Sequence, residues 1–280
     1  MSPVMTPTSH PVHLVGAGPG DPELLTLKAQ RVIRAATVLL VDDLVGDAVL
    51  ALALGELAHP PRLIHVGKRG GCPSTSQEFI EKLMVREALA GERVVRLKGG
   101  DPLVFGRAGE EIAALQAAGV DVEIVNGITA GASAAAALGV GWTDRRVGAQ
   151  GVLLVTGHAG RDCDEPDWDA IARVAASGVT LVVYMGVARV ETIVERLRPA
   201  LPAELPVAVV QRASAVDELV VRCTLGRLAE TIHSRRIASP AILVIGRVAD
   251  PALVAASCKH EMAPARYPAN VGRAQAVLTL

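Results

Sequence analysis

The chain has 280 residues, of which 50% are hydrophobic and 20% charged, so its apolar content is sufficient for a packed core and excludes an intrinsically disordered protein. A formal net charge of -1 and an aromatic content of 2% argue against a basic, base-stacking surface for nucleic acid. The four cysteines form no C-x-x-C pair, and no secretion signal or membrane-length apolar run is visible, so we expect a cytoplasmic protein with reduced thiols and no metal site.

Short apolar segments bounded by glycine, proline or aspartate recur along the chain, and such segments are typical of strands buried on both faces of a sheet. We predict strands over residues 12–15, 38–41, 63–66, 93–97, 122–125, 152–156, 180–184, 207–210 and 241–245. Helical patterns lie between several of them. We predict helices over residues 24–36, 77–90, 109–118, 187–197 and 225–234.

This alternation of strands and helices predicts an α/β fold with open sheets and crossover helices. The glycine- and alanine-rich segment 126–151 separates two such series, so we place the domain junction there. We expect an N-terminal α/β domain over residues 11–126, a C-terminal α/β domain over 127–250 and a C-terminal tail over 251–280. Ligands of open α/β sheets bind at the carboxyl ends of the strands, so the residues that follow each strand are the candidates for function.

The first predicted strand leads into GAGPGD at residues 16–21, which is similar to the dinucleotide fingerprint G-x-G-x-x-G. Asp21 stands where the third glycine belongs, and Pro19 removes a backbone N–H that could donate to a pyrophosphate. Asp42 ends the second strand at about the position of a ribose-binding acid. An NAD-dependent oxidoreductase therefore stays open as a weaker alternative.

The fourth predicted strand is followed by Gly99, Gly100 and Asp101, where paired glycines allow a ligand close to the backbone and Asp101 could accept a hydrogen bond. Arg107 and Glu110 are three positions apart and can meet on one helix face. Each signal alone also fits an ordinary turn or a surface ion pair. Their occurrence at nearly every strand end is the stronger indication of a site.

Seven segments together closely resemble the tetrapyrrole methylase family: VGAGPGDPELLTLKA, VGKRGG, RLKGGDPLVFGRAGEE, NGITAGASAAAALG, VTGH, YMG and PAILVIGRV. They cover about residues 12–248. The resemblance implies two α/β domains of the tetrapyrrole methylase type, with the cofactor in the inter-domain cleft, and a homodimer. It also implies that S-adenosyl-L-methionine methylates a small-molecule tetrapyrrole, uroporphyrinogen III, at C2 and C7. The products would be S-adenosyl-L-homocysteine and precorrin-2, which feeds siroheme, cobalamin or heme d1.

The same resemblance assigns roles to individual residues. It implies cofactor contacts at Pro19, Gly99, Gly100, Asp101, Val104, Thr129, Ala130, Met185 and Ala213. It implies Asp42 as proton acceptor and Lys68 as proton donor. Arg107, Glu110 and Arg145 match polar residues of substrate binding and turnover, and His158 is expected to line the same cleft and contact the substrate.

The chain departs from the family pattern at several positions. Asp43 replaces a basic residue, Asn126 replaces the proline of P-G-I-T, and the segment 216–218 (VDE) replaces a glutamine-rich one. Asp144 replaces a histidine and adds a negative charge near a polyanionic substrate. No dehydrogenase and ferrochelatase module precedes the methylase segments, so we expect methylation alone.

Two further functions compete with this prediction. One is a different reaction in the same superfamily, either a later precorrin methylation or RNA 2′-O-ribose methylation, although the near-neutral charge argues against RNA. The other is a ligand-binding or scaffold protein that keeps the fold without catalysis. Retention of Asp42, Lys68, Arg107 and Glu110 argues against loss of activity.

Overall fold

The computed structural model describes residues 10–67, 75–158 and 165–253, and the chain divides into two compact units between Thr129 and Ala130. Each unit consists of a sheet with helices packed against it. The α/β fold class predicted from the strand and helix pattern is therefore confirmed. The tail predicted from residue 251 begins with a short 3-10 turn, Pro251–Leu253, and the residues after it lie outside the described ranges.

The first unit contains a parallel sheet in the order β3-β2-β4-β1-β5. Its strands are β1 (Val12–Gly16), β2 (Val38–Val41), β3 (Arg62–His65), β4 (Val94–Lys98) and β5 (Val122–Val125). Its helices are α1 (Leu27–Ala35), α2 (Asp47–Leu54), α3 (Gln77–Leu89) and α4 (Ala108–Ala117).

The two faces of this sheet are covered by different helices, because successive side chains of a strand point to opposite faces. In β4, Val95 and Leu97 pack with residues of α1 and α2, whereas Val94 packs with residues of α3 and α4. The chain leaves β1 towards β2 but leaves the neighbouring β4 in the opposite direction, towards β5. A crevice for ligands is expected between the loops at such a reversal of direction.

The second unit contains a mixed sheet in the order β6-β7-β10-β8-β9. Its strands are β6 (Gly151–Thr156), β7 (Val179–Tyr184), β8 (Pro206–Gln211), β9 (Leu219–Thr224) and β10 (Ala241–Ile245). Its helices are α5 (Ala130–Leu138), α6 (Trp168–Ala176), α7 (Val190–Leu197) and α8 (Leu228–Ser234). Because β10 is antiparallel to both β7 and β8, strands β6, β7 and β8 run in one direction and their carboxyl ends share one edge.

Elements α2, α6 and β9 lie outside the predicted helices and strands, and α5 lies in the glycine- and alanine-rich segment for which no helix bounds were given. The predicted helix over residues 24–36 starts too early, because Pro22–Leu24 forms a 3-10 turn and α1 begins only after Thr26. The Thr26 hydroxyl accepts a hydrogen bond from the Ala29 N–H at 3.1 Å and so caps the helix. Similar 3-10 turns delay the starts of α7 and α8.

No helix in the described ranges combines the length and the apolar character needed to cross a membrane. The same ranges contain no group of three or more histidine, cysteine, aspartate or glutamate side chains placed to hold a metal ion. Cys223 is half-buried, and burial raises the pKa of its thiol, so this cysteine is a poor nucleophile.

The close packing of glycines at the strand ends can be tested by adding a single Cβ atom. A Cβ at residue 127 would lie 2.2 Å from the Gly100 carbonyl oxygen and 2.8 Å from the Gly16 Cα, and neither backbone atom can rotate away. We expect Gly127→Ala to lower the free energy of unfolding by about 1–3 kcal/mol. Gly109→Ala is the matched control, because a Cβ there meets nothing within 4 Å and alanine favours the helix by up to about 1 kcal/mol. Urea denaturation measures both, and equal stability of the two variants would contradict the packing described.

Candidate active site

Three loops converge at the carboxyl edge of the first sheet. The Gly18 N–H donates to the Gly100 carbonyl at 3.2 Å, and the Gly100 N–H donates back to the Gly18 carbonyl at 2.7 Å. A Cβ at Gly16 would lie 2.6 Å from the Gly100 oxygen, and one at Gly127 would lie closer still. The loops after β1, β4 and β5 therefore pack backbone against backbone, which only glycine permits.

Asp101 holds two of these loops together. One carboxylate oxygen accepts from the Leu103 N–H at 2.8 Å, and the other accepts from the Asn126 side-chain amide and the Gly127 N–H, both at 3.1 Å. The side chain is buried, so its hydrogen-bonding capacity is taken up largely by the protein itself. Asn126, a departure from the family pattern, supplies a donor that proline lacks.

The loop after β1 does not have the geometry of a dinucleotide site. Asp21 accepts a hydrogen bond from the Glu23 N–H at 2.9 Å and caps the 3-10 turn Pro22–Leu24. The first α-helix begins only at Leu27, so no helix N-terminus follows the glycines directly, as pyrophosphate binding requires. This argues against the NAD-dependent alternative.

Arg107 and Glu110 form a two-pronged ion pair at the start of α4. The Arg107 Nε and Nη2 donate to the two Glu110 oxygens at 2.8 and 2.6 Å, and these hydrogen bonds hold the pKa of Glu110 below its ordinary value. Both side chains are more than half exposed. Arg107 and Phe105 have left-handed backbone conformations, with φ of 56° and 53°, and such conformations in residues other than glycine concentrate at functional sites.

Asp42 follows β2 at the same edge and lies beside a buried cluster of charges. Its Oδ1 is 3.7 Å from the Arg96 Nη2, and Arg96 and Lys98 both bind the carboxylate of Glu111, at 3.0 and 2.7 Å. Burial lowers the pKa of Lys98; the carboxylate of Glu111 opposes this shift and the charge of Arg96 adds to it. Asp42 is the member of this group that reaches solvent.

Large apolar side chains are exposed around the same edge. Leu44 follows Asp42 along the chain, and Leu103 and Phe105 lie in the loop after β4; all three are at least 40% exposed. Leu44 lies against Gly99, where an added Cβ would come within 2.5 Å of the leucine Cβ. This edge therefore offers apolar surface next to charged side chains.

In the second unit, the loops after β6 and β7 also meet through glycines. The Gly157 N–H donates to the Tyr184 carbonyl at 2.6 Å, and a Cβ at residue 157 would lie 2.5 Å from the Gly186 Cα. Met185 is exposed and has a φ of 55°, and His158 is exposed next to Gly157. The structure thus brings His158 and Met185 to the same edge of this sheet.

The loop after β8 reaches that edge as well. Ala213 is buried between Arg212 and Ser214, whose φ angles are 52° and 64°. Asp217 pairs with the Arg212 Nε at 2.6 Å, and Glu218 accepts from the Ser214 N–H at 2.6 Å. The acidic residues that depart from the family pattern therefore hold this loop in its left-handed conformations.

Arg145 lies at the opposite edge of the second sheet. The Thr180 hydroxyl near the start of β7 donates to the Trp142 carbonyl at 2.7 Å, and Arg247, just after β10, donates to the Val147 carbonyl at 3.3 Å. These contacts place the segment around Arg145 at the amino ends of β6 and β7. Within this unit, Arg145 and His158 therefore lie at opposite edges of the sheet.

Asp144 does not present an uncompensated charge. Its two carboxylate oxygens bind the Arg146 guanidinium at 2.6 to 3.1 Å, and one also accepts from the Arg146 N–H at 2.8 Å. These hydrogen bonds hold the pKa of Asp144 below its ordinary value. The negative charge of Asp144, which was expected to disfavour a polyanionic substrate, is thus neutralised by Arg146.

The other predicted site residues are distributed as follows. Pro19, Gly99 and Val104 are partly exposed in the loops after β1 and β4, and Thr129 and Ala130 stand on either side of the division between the units. Lys68 lies outside the described residues.

Asp43 lies against the residue that precedes Lys68. A Cβ at Gly67 would lie 2.0 Å from an Asp43 carboxylate oxygen, so a side chain at that position would require the Asp43 carboxylate to move.

Three charged residues are absent from the site residues predicted from the sequence: Arg96, Lys98 and Glu111. The signal was present, because Arg96 and Lys98 alternate with apolar residues in a strand otherwise typical of full burial. Charges at alternate positions project onto one face of a sheet, and burying them requires a carboxylate from the element packed there.

Three comparisons relate the chain to known proteins. The family model for Tetrapyrrole (Corrin/Porphyrin) Methylases matches residues 11–229. The chain is 51% identical over 238 residues to the uroporphyrinogen-III C-methyltransferase of Pseudomonas aeruginosa, covering 85% of this chain and 93% of that protein. It is similar to the crystal structure of the uroporphyrin-III C-methyl transferase from Thermus thermophilus complexed with S-adenyl homocysteine, with a TM-score of 0.71, 42% identity and coverage of 85% and 98%. A cobalt precorrin-4 methyltransferase structure gives a TM-score of 0.74 at 27% identity, with coverage of 89% and 100%.

Replacement of Asp101 tests whether it holds the loops together. An asparagine side chain at this position would present an amide N–H₂ to at least one backbone N–H, so a donor would meet a donor. We expect Asp101→Asn to lower the free energy of unfolding by about 1–3 kcal/mol. In the control Asp167→Asn, asparagine caps α6 through the Ala170 N–H as well as aspartate does, so thermal unfolding should hardly change. Matching melting temperatures for the two variants would contradict this role.

Proposed function

Because the chain belongs to the tetrapyrrole (corrin/porphyrin) methylase family, we propose that it transfers methyl groups from S-adenosyl-L-methionine to C2 and C7 of uroporphyrinogen III, giving precorrin-2. The observation that carries the proposal is the edge of the first unit, where Asp42, the glycine turn and Arg107 follow neighbouring strands in the order found in the family motif. Similarity to the P. aeruginosa enzyme over most of both chains supports the choice of substrate.

The loops fit the proposed cofactor. Gly99 and Gly100 have no side chains, and both are accessible, so the turn can present its backbone to the amino-acid portion of the cofactor. Met185 is exposed and Ala213 is small, which suits contacts with the rest of it. The proposal also includes Pro19, Asp101, Val104, Thr129 and Ala130, with Asp101 acting mainly by shaping the loops.

When bound, S-adenosyl-L-methionine supplies an electrophilic methyl group on a sulfonium. The protein's residues then align this group with a nucleophilic pyrrole carbon, which converts an encounter into a near-attack geometry. Methylation leaves positive charge on the macrocycle, and loss of a proton discharges it. Asp42, which is partly exposed at the edge, is the proposed acceptor of that proton. Lys68 is proposed as proton donor from the family motif alone.

The substrate carries acetate and propionate side chains around its rim, so fixed cations are needed to bind it. Arg107 is held by Glu110, but an exposed ion pair of this kind contributes only about 0–1 kcal/mol. A substrate carboxylate can therefore replace Glu110 on the guanidinium at little cost. We propose Arg107, Arg145 and His158 as substrate contacts; Arg145 is proposed from the family motif alone.

Three further features are proposed from the resemblance and the composition. They are a homodimer, a cytoplasmic location, and delivery of the product to siroheme or cobalamin biosynthesis. Light scattering coupled to size-exclusion chromatography tests the first, and a molar mass equal to that of one chain would contradict it. Complementation of strains blocked in siroheme or cobalamin synthesis tests the last.

A later precorrin is the second candidate substrate, favoured by the similarity to the cobalt precorrin-4 methyltransferase structure. The two candidate substrates can be distinguished by adding each one separately, under anaerobic conditions, and measuring the S-adenosyl-L-homocysteine that methyl transfer forms. We expect it to form with uroporphyrinogen III and not with a later, already methylated precorrin. Release only with the later precorrin would replace the proposed substrate but keep the family chemistry.

Arg107→Ala tests substrate binding. We expect a loss of turnover of about two orders of magnitude, because a positioning cation is removed, with cofactor affinity nearly unchanged. Arg227→Ala is the matched control, because Arg227 makes the same i,i+3 ion pair with Glu230 at the start of α8. Calorimetric titration with S-adenosyl-L-homocysteine measures cofactor affinity, and steady-state kinetics measure turnover. Weaker cofactor binding with unaltered turnover would contradict the assignment.

Asp42→Asn tests the proton acceptor. We expect the rate to fall by about 10²-fold, at the lower end of what a general base contributes. Asp47→Asn, in the first turn of α2, serves as a control for loss of a nearby carboxylate. An unchanged rate in Asp42→Asn would remove Asp42 from this role.

A further inference from the structure

We propose that Glu111 is a positioning residue for methyl transfer, which acts through Arg96 to fix the carboxylate of Asp42 at the edge of the first unit. Arg96, Lys98 and Glu111 are called the buried charge cluster below. The inference rests on the proposed function, in which Asp42 accepts a proton from the methylated substrate.

The sheet places the buried charge cluster directly behind Asp42. Arg96 pairs with Leu40 across β2 and β4, and Asp42 is two residues beyond Leu40 and therefore on the same face. That face is covered by α3 and α4, and α4 supplies Glu111. Side-chain exposure is 0% for Glu111, 4% for Arg96 and 5% for Lys98, compared with 31% for Asp42.

Glu111 has both oxygens engaged by the cluster. The Arg96 Nε donates to Oε1 at 3.0 Å, and the Lys98 Nζ donates to Oε2 at 2.7 Å. Arg96 also donates through Nη1 to the Leu97 carbonyl at 3.3 Å. Its remaining nitrogen, Nη2, is then aimed at Asp42, 3.7 Å away, so Glu111 sets the direction of the guanidinium that faces the proposed base.

The charges balance only when Asp42 is included. Two buried cations and one buried carboxylate leave a positive charge, which is costly to bury without compensation. Asp42 supplies the missing negative charge. The cluster therefore draws the Asp42 carboxylate inward and restricts its rotamers, while its partial exposure leaves it accessible to a proton from the substrate.

Fold stability does not explain this cluster. Buried ion pairs commonly contribute no more stability than apolar side chains of the same volume. The first unit contains another buried glutamate for comparison, Glu87 of α3, which binds Arg62 and Arg86. Arg62 is the first residue of β3, so Glu87 lies at the amino edge, away from Asp42. Glu87 is thus a matched carboxylate without a place in the proposed reaction.

The test compares Glu111→Gln with Glu87→Gln in the full chain. Each variant replaces one buried carboxylate that binds two cations. The cations of Glu111 are buried, whereas Arg62 and Arg86 are 47% and 64% exposed, so we expect both melting temperatures to fall and that of Glu111→Gln to fall further. We expect kcat to fall about 10²-fold only in Glu111→Gln, because the base is misplaced. The KM for uroporphyrinogen III and the Kd for S-adenosyl-L-homocysteine should stay within about twofold of wild type.

A double-mutant cycle with Asp42→Asn shows whether Glu111 acts through Asp42. Once Asp42 has lost its function, removing Glu111 should lower kcat no further, so Asp42→Asn/Glu111→Gln should match Asp42→Asn. A double variant whose loss of kcat equals the product of the two single losses would overturn the proposal. Equal kcat losses in Glu111→Gln and Glu87→Gln would also overturn it.

A second variant covers the case in which Glu111→Gln does not fold. Arg96→Lys keeps the positive charge but removes the planar guanidinium that contacts both Glu111 and Asp42. We therefore expect a lower kcat, and no further fall in kcat when Arg96→Lys is combined with Asp42→Asn. Unaltered kcat in Arg96→Lys would overturn the proposal. Failure of the proposed function is distinguishable, because wild type itself would then form no methylated product while still binding S-adenosyl-L-homocysteine.

Discussion

The close approach of three loops to the Gly100 carbonyl is the constraint on which the rest of the site depends. Strands β1 and β4 are neighbours from which the chain departs in opposite directions, and their loops hydrogen-bond to each other through Gly18 and Gly100. Gly16 and Gly127 add contacts too short for any Cβ. Asp101 then locks the loop after β5 onto the loop after β4. The turn proposed to hold the cofactor is thereby fixed by backbone contacts and by one buried carboxylate.

The charged side chains divide into two kinds with different physical consequences. Arg107 and Glu110 are exposed and weakly coupled, so their ion pair can open for a substrate carboxylate. Arg96, Lys98 and Glu111 are buried and bound to one another, so they cannot rearrange without leaving a further uncompensated charge. One group is suited to exchange with a ligand, and the other is suited to hold Asp42 in place.

Much of this arrangement could be predicted from the sequence, because short apolar runs mark buried strands and the strand ends carry the family motif. The pattern did not predict β9, because the residues of this edge strand are partly exposed. The antiparallel pairing of β9 with β8 was therefore not predicted either. Spacing along the chain also could not show that Arg145 lies at the opposite edge from His158, since this depends on contacts of Trp142 and Val147 with distant residues. The roles of Asn126 and Arg146 could not be predicted either, because they depend on contacts with Asp101 and Asp144 that only the structure shows.

Methylation of uroporphyrinogen III at two carbons is the reaction that we propose for this edge. The most direct measurement is an anaerobic incubation with uroporphyrinogen III and S-adenosyl-L-methionine carrying a deuterated methyl group, followed by mass spectrometry and NMR of the tetrapyrrole. We expect two labelled methyl groups, at C2 and C7, and two molecules of S-adenosyl-L-homocysteine for each product. An unlabelled tetrapyrrole, or label at other carbons, would contradict it.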